Sequence, residues 1–213
     1  MNVPTSIAKR RRNWKELSVL WAYYFFLTGG ILAIGYSTYV VVDARAYQAI
    51  EQARFSNARP TPGVHAVADG DVIGELSIPH LGLKTIVAQG DSAKVLRRAV
   101  GHLRETPLPG EPGNVALAGH RDGFFRPLRN IRAGDAISLN TLDGEFVYQV
   151  ESTEVVLPSD VEALQPSHVN RLTLVTCYPF YYVGSAPKRF IVRARQIGWL
   201  PAGLPASGSP VHF

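Results

Sequence analysis

The chain has 213 residues, 46% of them hydrophobic, with 22 Lys and Arg against 17 Asp and Glu and a single cysteine. That is enough apolar material for one globular core plus an appendage, and a lone thiol excludes a disulfide within the chain. The isoelectric point of 9.5 suggests nucleic acid only until the charge is located. Residues 1–16 hold five of the basic residues and one of the acidic ones, which leaves 17 against 16 in the remainder. The globular part is close to neutral, which speaks against a nucleic-acid footprint.

Residues 17–42 carry no charge, and at about 1.5 Å per residue a helix of that length crosses a hydrocarbon core of about 30 Å. Lys9, Arg10, Arg11, Arg12 and Lys15 precede it, whereas Asp43 and Arg45 nearly cancel beyond it. The positive-inside rule then predicts a cytoplasmic basic tail (1–16), a single pass through the plasma (inner) membrane, and an extracytoplasmic remainder. A cleaved signal peptide has an apolar stretch of only about 7 to 15 residues, so a retained signal anchor is the better reading. Residues 43–70 read as stalk and linker. Ala44, Ala46, Ala49 and Ala53 can carry the helix outward, and Arg59-Pro60-Thr61-Pro62-Gly63 breaks it.

A domain spanning 71–198 follows, marked by short β-rich runs separated by turn residues: 72–78, 84–88, 114–118, 136–140, 145–151, 154–157, 172–176 and 189–196. Eight such runs without a βα repeat predict a mainly β fold, a closed or nearly closed antiparallel eight-stranded barrel. Asp143-Gly144 between two of them predicts a hairpin with a type I′ turn. Helices are few: 92–100 after a cap-like Asp91, and one turn at 160–164. Residues 199–213 form a Pro/Gly/Ser-rich tail.

Cys177 ends the apolar run Leu172-Thr173-Leu174-Val175-Thr176-Cys177 and precedes Tyr178-Pro179. A thiol on a rigid strand end that opens onto a loop is a candidate nucleophile; the alternative is a small buried hydrophobe. A thiol nucleophile needs a proton-handling partner and an oxyanion donor. His120, where Val115-Ala116-Leu117-Ala118-Gly119 runs out into a polar turn, matches the setting of Cys177. His102, just before the Pro-rich loop 106–113, competes with it. Arg189 opens the last strand, and its guanidinium stays charged and offers fixed donors; a solvated edge arginine is the alternative. No two histidines stand at helical ligand spacing, so neither a metal nor another cofactor is expected.

Thr173-Leu174-Val175-Thr176-Cys177, with Arg189 twelve positions on, resembles the active-site signature of sortases. Gly74-Glu75-Leu76-Ser77-Ile78-Pro79, Thr106-Pro107-Leu108-Pro109-Gly110, Ala118-Gly119-His120-Arg121, Phe125-Arg126-Pro127-Leu128 and Gly134-Asp135 follow the family's order over about residues 72–197. Several motifs in register make chance similarity a poor explanation. Tyr178-Pro179-Phe180 and the Pro-rich segment are most similar to class D, while Leu103-Arg104-Glu105 departs from the proline and glycine that relatives often carry there.

The resemblance implies a sortase-type barrel in which His120, Cys177 and Arg189 form a catalytic triad. It implies a membrane-anchored cysteine transpeptidase that cleaves an LPXTG-like sorting signal after threonine through a thioester. The acyl group then passes to an amine on a cell-wall precursor or another protein. A hydrolytic cysteine peptidase of the same fold and a non-catalytic membrane-tethered barrel are the alternatives. Leu204-Pro205-Ala206-Ser207-Gly208 in the tail looks like a sorting pentapeptide with serine for threonine; it reads as a chance string, with a weak self-ligand as the other possibility.

Overall fold

The computed structural model describes residues 14–57, 67–160, 162–182 and 184–202. Two compact units divide after Asp43. The first holds the apolar part of helix α1 (Trp14–Asn57), none of whose residues is buried. Its best window has a mean hydropathy of 1.8, so by length and composition it could cross a membrane.

The second unit contains eight strands: β1 (Val72–Ile78), β2 (Leu83–Gln89), β3 (Val100–His102), β4 (Asn114–Ala118), β5 (Ala136–Thr141), β6 (Gly144–Val156), β7 (Arg171–Tyr178) and β8 (Lys188–Pro201). They close into a barrel in the order β1-β2-β3-β4-β7-β8-β6-β5. Alternate residues fill it: Leu76 and Ile78 of β1, Val115 and Leu117 of β4, Leu172 and Leu174 of β7, and Val192 and Ala194 of β8 belong to one buried cluster. The period-2 pattern of these apolar residues is what selects the inward face.

Closure and strand number match the sequence reading; the composition of the barrel differs at four points. First, the runs at 145–151 and 154–157 are one strand, β6, bent by a register shift between Val150 and Ser152 against β8. Second, the eighth strand is β3, only three residues long. A run of Val100-Gly101-His102 is too short to show alternation, and its glycine is required by packing, since a Cβ there would lie 2.3 Å from Gly90 O. Third, the barrel is mixed, with β2–β3 and β4–β7 parallel. Helix α2 (Ala93–Arg98) is the crossover that lets β3 run parallel to β2. Its N-cap is Ser92, whose side chain accepts from Val95 N, rather than Asp91. Fourth, the β5–β6 hairpin forms where Asp143-Gly144 predicts it, with Thr141 paired to Gly144. No described non-glycine residue has positive φ, however, so the turn at Leu142-Asp143 is not type I′. Gly144 instead takes φ 147°, and a Cβ on it would lie 2.3 Å from Leu200 O. The glycine serves the approach of β8.

The outer part of α1 is helical through Asn57, as the alanine-rich sequence predicts, and the break expected at 59–63 lies outside the described residues. Within the second unit this helix is part of the barrel surface. Tyr47 packs on the cluster of Ile86, Ala88, Val95 and Ala99. Gln48 Oε1 accepts from Ile86 N at 2.9 Å, and its Nε2 donates to Arg98 O at 2.7 Å. β3 pairs with β2 only from Val87 onward, so the Gln48 amide takes a strand residue's place where β3 is too short to reach.

The tail after Ala202, and with it the Leu204-Pro205-Ala206-Ser207-Gly208 string, lies outside the described residues.

Candidate functional site

β7 and β8 are paired residue by residue, and the pair near the top of the ladder is Cys177 opposite Arg189. Directly opposed residues of an antiparallel pair project on one face, with Cβ atoms about 5 Å apart. Leu172 and Leu174 face the core, so Cys177, three residues on from Leu174, stands on the outer face with Arg189. Cys177 is partly exposed. Arg189 Nη1 donates to Ala186 O at 3.3 Å and Lys188 O at 3.1 Å, and among the described residues its Nε and Nη2 make no hydrogen bond.

β4 runs parallel to β7 with Ala118 beside Val175. Continuing that register by two residues leads to His120 and Cys177. The backbone on either side of His120 is fixed at four points. Gly119 N donates to Val175 O at 3.1 Å, and Thr176 Oγ1 donates to Gly119 O at 2.7 Å. His120 O accepts from Gly123 N and Phe125 N, both at 3.2 Å. Gly119 has no room for a side chain, because a Cβ would sit 2.7 Å from the ring of Phe125, which is fully buried. The histidine itself is exposed. Three separate strands and a tight turn thus bring His120, Cys177 and Arg189 to one end of the barrel.

His102, the competing histidine, is not with them. It is 0% exposed and lies beside Leu117 in the β3–β4 pairing, on the inward side. Its Nδ1 is 2.8 Å from Gln89 Oε1 and its Nε2 is 2.9 Å from Pro107 O and 3.2 Å from Thr106 Oγ1. Burial depresses its pKa, against the weaker opposing pull of the Pro107 carbonyl and the Glu111 charge. Both ring edges are occupied in holding the Pro-rich loop against β2 and β3. The loop tolerates Leu103-Arg104-Glu105 because Leu103 N donates to Ala116 O at 2.9 Å and Thr106 N to Leu103 O at 3.0 Å, while Arg104 pairs with Asp69.

Two contributors were not legible as such in the sequence. Thr176 looks like one more β-branched strand residue, yet its hydroxyl ties β7 to the residue before His120. Tyr178, Phe180 and Phe190 form an aromatic cluster beside Cys177, with centroids 6.0 Å apart for Tyr178 and Phe180 and 5.3 Å for Phe180 and Phe190. The spacing Tyr178-x-Phe180 after the cysteine was the only available signal, and its partner Phe190 comes from another strand.

A family model for the sortase domain matches residues 76–197. Sortase D of Bacillus subtilis is 30% identical over 190 residues, covering 81% of this chain and 96% of the relative. Among solved structures, a Clostridium perfringens Sortase D5 transpeptidase is similar with a TM-score of 0.57 and 34% identity, over 62% of this chain and 82% of that one. The SrtA sortase from Actinomyces oris gives a TM-score of 0.60 and 30% identity, over 69% and 92%. With a matched domain, a relative matched over nearly its whole length and a shared barrel, the chain belongs to the sortase family, as a class D homologue and a cysteine transpeptidase.

Proposed function

We propose that the chain is a single-pass sortase with the N-terminus in the cytoplasm, residues 17–42 in the plasma membrane and the barrel on the outer side. In this reading its substrate is a protein carrying an LPXTG-like sorting signal, and His120, Cys177 and Arg189 are its catalytic residues. The observation that carries the reading is the cross-strand pair of a partly exposed thiol with an arginine at the strand end toward which the His120 loop leads.

The chemistry runs in two halves. The Cys177 thiolate attacks the threonine carbonyl carbon, and the developing oxyanion is stabilised by the guanidinium of Arg189. As the C–N bond breaks, protonated His120 gives its proton to the leaving amine, and a thioester remains on Cys177. An incoming amine then attacks the thioester carbonyl and His120 takes its proton. The sulfur leaves as thiolate, and the new amide bond replaces the one that was cut. No cofactor enters either half.

The test uses the ectodomain with helix residues 44–57 retained, a sorting-signal peptide and an added amine, read by mass spectrometry. Wild type is expected to give a thioester adduct and ligated product; Cys177→Ala gives neither. Arg189→Ala loses on the order of 10²–10³ in kcat, and Arg189→Lys recovers little of it, because a point charge does not reproduce the guanidinium fork. Acid product at every amine concentration would make the enzyme a peptidase, and the absence of any thioester would overturn the reading.

A further inference from the structure

The turn after His120 carries an arginine that the chemistry above does not use. Arg121 is half-buried, and its Nη2 donates to two backbone carbonyls of the β7–β8 connection, Tyr182 O at 2.7 Å and Gly184 O at 2.8 Å. Its guanidinium carbon also lies 6.0 Å from the Tyr182 ring centroid. A second tie runs parallel to it. Arg129, on the 3-10 turn Arg126–Asn130, bonds the Tyr181 hydroxyl and lies 5.5 Å from that ring's centroid.

Both arginines belong to the segment that begins at His120, and both of their partners belong to the segment that joins Cys177 to Arg189. Gly184 has φ 95° with open space around its Cα, so the glycine is required by the backbone conformation that turns its carbonyl toward Arg121 rather than by crowding. The two connections are therefore latched to each other by charge-assisted hydrogen bonds that leave the strands themselves untouched.

We infer that Arg121, reinforced by Arg129 and Tyr181, is a positioning residue that fixes the distance between the His120 turn and the β7–β8 connection. The latch thereby sets the shape of the opening through which the amine acceptor reaches the acyl group on Cys177. The inference rests on the proposed triad. A thioester is resolved by whichever nucleophile is best oriented beside His120, and water needs no orientation to compete. A loosened opening costs the amine its alignment while leaving hydrolysis in place. The recognition element is a guanidinium against carbonyl oxygens, for which an ammonium is an imperfect substitute.

The experiment compares wild type with Arg121→Ala, Arg121→Lys and Tyr181→Phe in the same ectodomain, following thioester formation, ligation and hydrolysis separately, with a melting curve for each. Expected for Arg121→Ala is an unchanged melting temperature, thioester formation within a few-fold of wild type, and a KM for the amine raised about tenfold, the loss anticipated for charge-assisted bonds. The hydrolysed fraction rises with it, Arg121→Lys recovers part of the effect, and Tyr181→Phe shows a smaller shift in the same direction. Wild-type partition between ligation and hydrolysis in Arg121→Ala overturns the inference. So does a loss of all three activities in proportion to a lowered melting temperature, which would make Arg121 an ordinary structural residue. If wild type itself forms no thioester, the failure belongs to the proposed triad and not to the latch.

Discussion

The loops around His120 and His102 leave the same sheet region and put their histidines to opposite use. His120 is held through its own backbone and that of Gly119: Gly119 is pinned on both its amide and its carbonyl, and the His120 carbonyl takes two amides. Its side chain is left exposed. His102 is held through its ring, which is 0% exposed and contacts Gln89, Thr106 and Pro107. An imidazole whose two nitrogens already serve the fold has no free edge for a substrate proton, whereas one positioned by backbone bonds keeps both.

The sharpest way to break this comparison is to exchange the losses. His120→Ala is expected to lower ligation by a factor on the order of 10²–10⁴, the span of a general acid–base group, with no change in melting temperature. His102→Ala should retain activity within about tenfold but unfold more easily by about 1–3 kcal/mol, since the Pro107 and Gln89 groups lose a buried partner. Steady-state kinetics and urea unfolding of the two variants separate the effects. A dead His102→Ala beside an active His120→Ala would reverse the assignment of the two rings.

A subtler lesion leaves both histidines in place. In Gly119→Ala the new Cβ meets the Phe125 ring at 2.7 Å, and Phe125 is wholly buried and cannot swing aside. Either the ring or the His120 backbone must move. Overpacking of this kind costs about 1–3 kcal/mol, and because the Thr176 hydroxyl grips the same residue, ligation should fall at least tenfold through kcat. An unchanged kcat would mean that the backbone bonds around His120 have slack.

Much of the barrel was legible because inward residues alternate over long strands. β1, β4, β7 and β8 were readable from runs such as Leu172 to Thr176, whose packing partners lie at period 2. β3 was not, since three residues with a central glycine carry no period and the strand exists only because Gly101 fits against Gly90 O. The parallel pairings were hidden for a similar reason: they depend on where α2 returns the chain and not on any local pattern. Cys177 and Arg189 were readable as strand-end residues, but their direct opposition comes from the β7–β8 register. Between His120 and His102 the strand-end setting left the choice open and the family resemblance favoured His120; what the structure adds is the burial of the His102 ring, which a three-residue strand does not announce in sequence.

The smallest effect expected from the comparison lies in the pH dependence of stability. Burial depresses the pKa of His102 below its ordinary value of 6.5, so the folded state prefers the neutral ring. Above about pH 6.5 the ring is neutral in both folded and unfolded chains and contributes no pH dependence. As the pH falls below that value the unfolded chain takes up a proton first, and by linkage the folded state loses stability until its own depressed pKa is reached. The groups facing the ring temper this, because Pro107 O and the Glu111 carboxylate both favour the charged form, yet desolvation outweighs them. Urea unfolding at about pH 7.5 and about pH 5 in wild type and His102→Gln isolates the contribution, since the two proteins differ only at this residue. The variant should be less stable at the higher pH and should lose less on acidification. Parallel acid limbs would show that His102 takes up its proton as readily folded as unfolded, and equal stability at the higher pH would show that its ring is not what holds the Pro-rich loop in place.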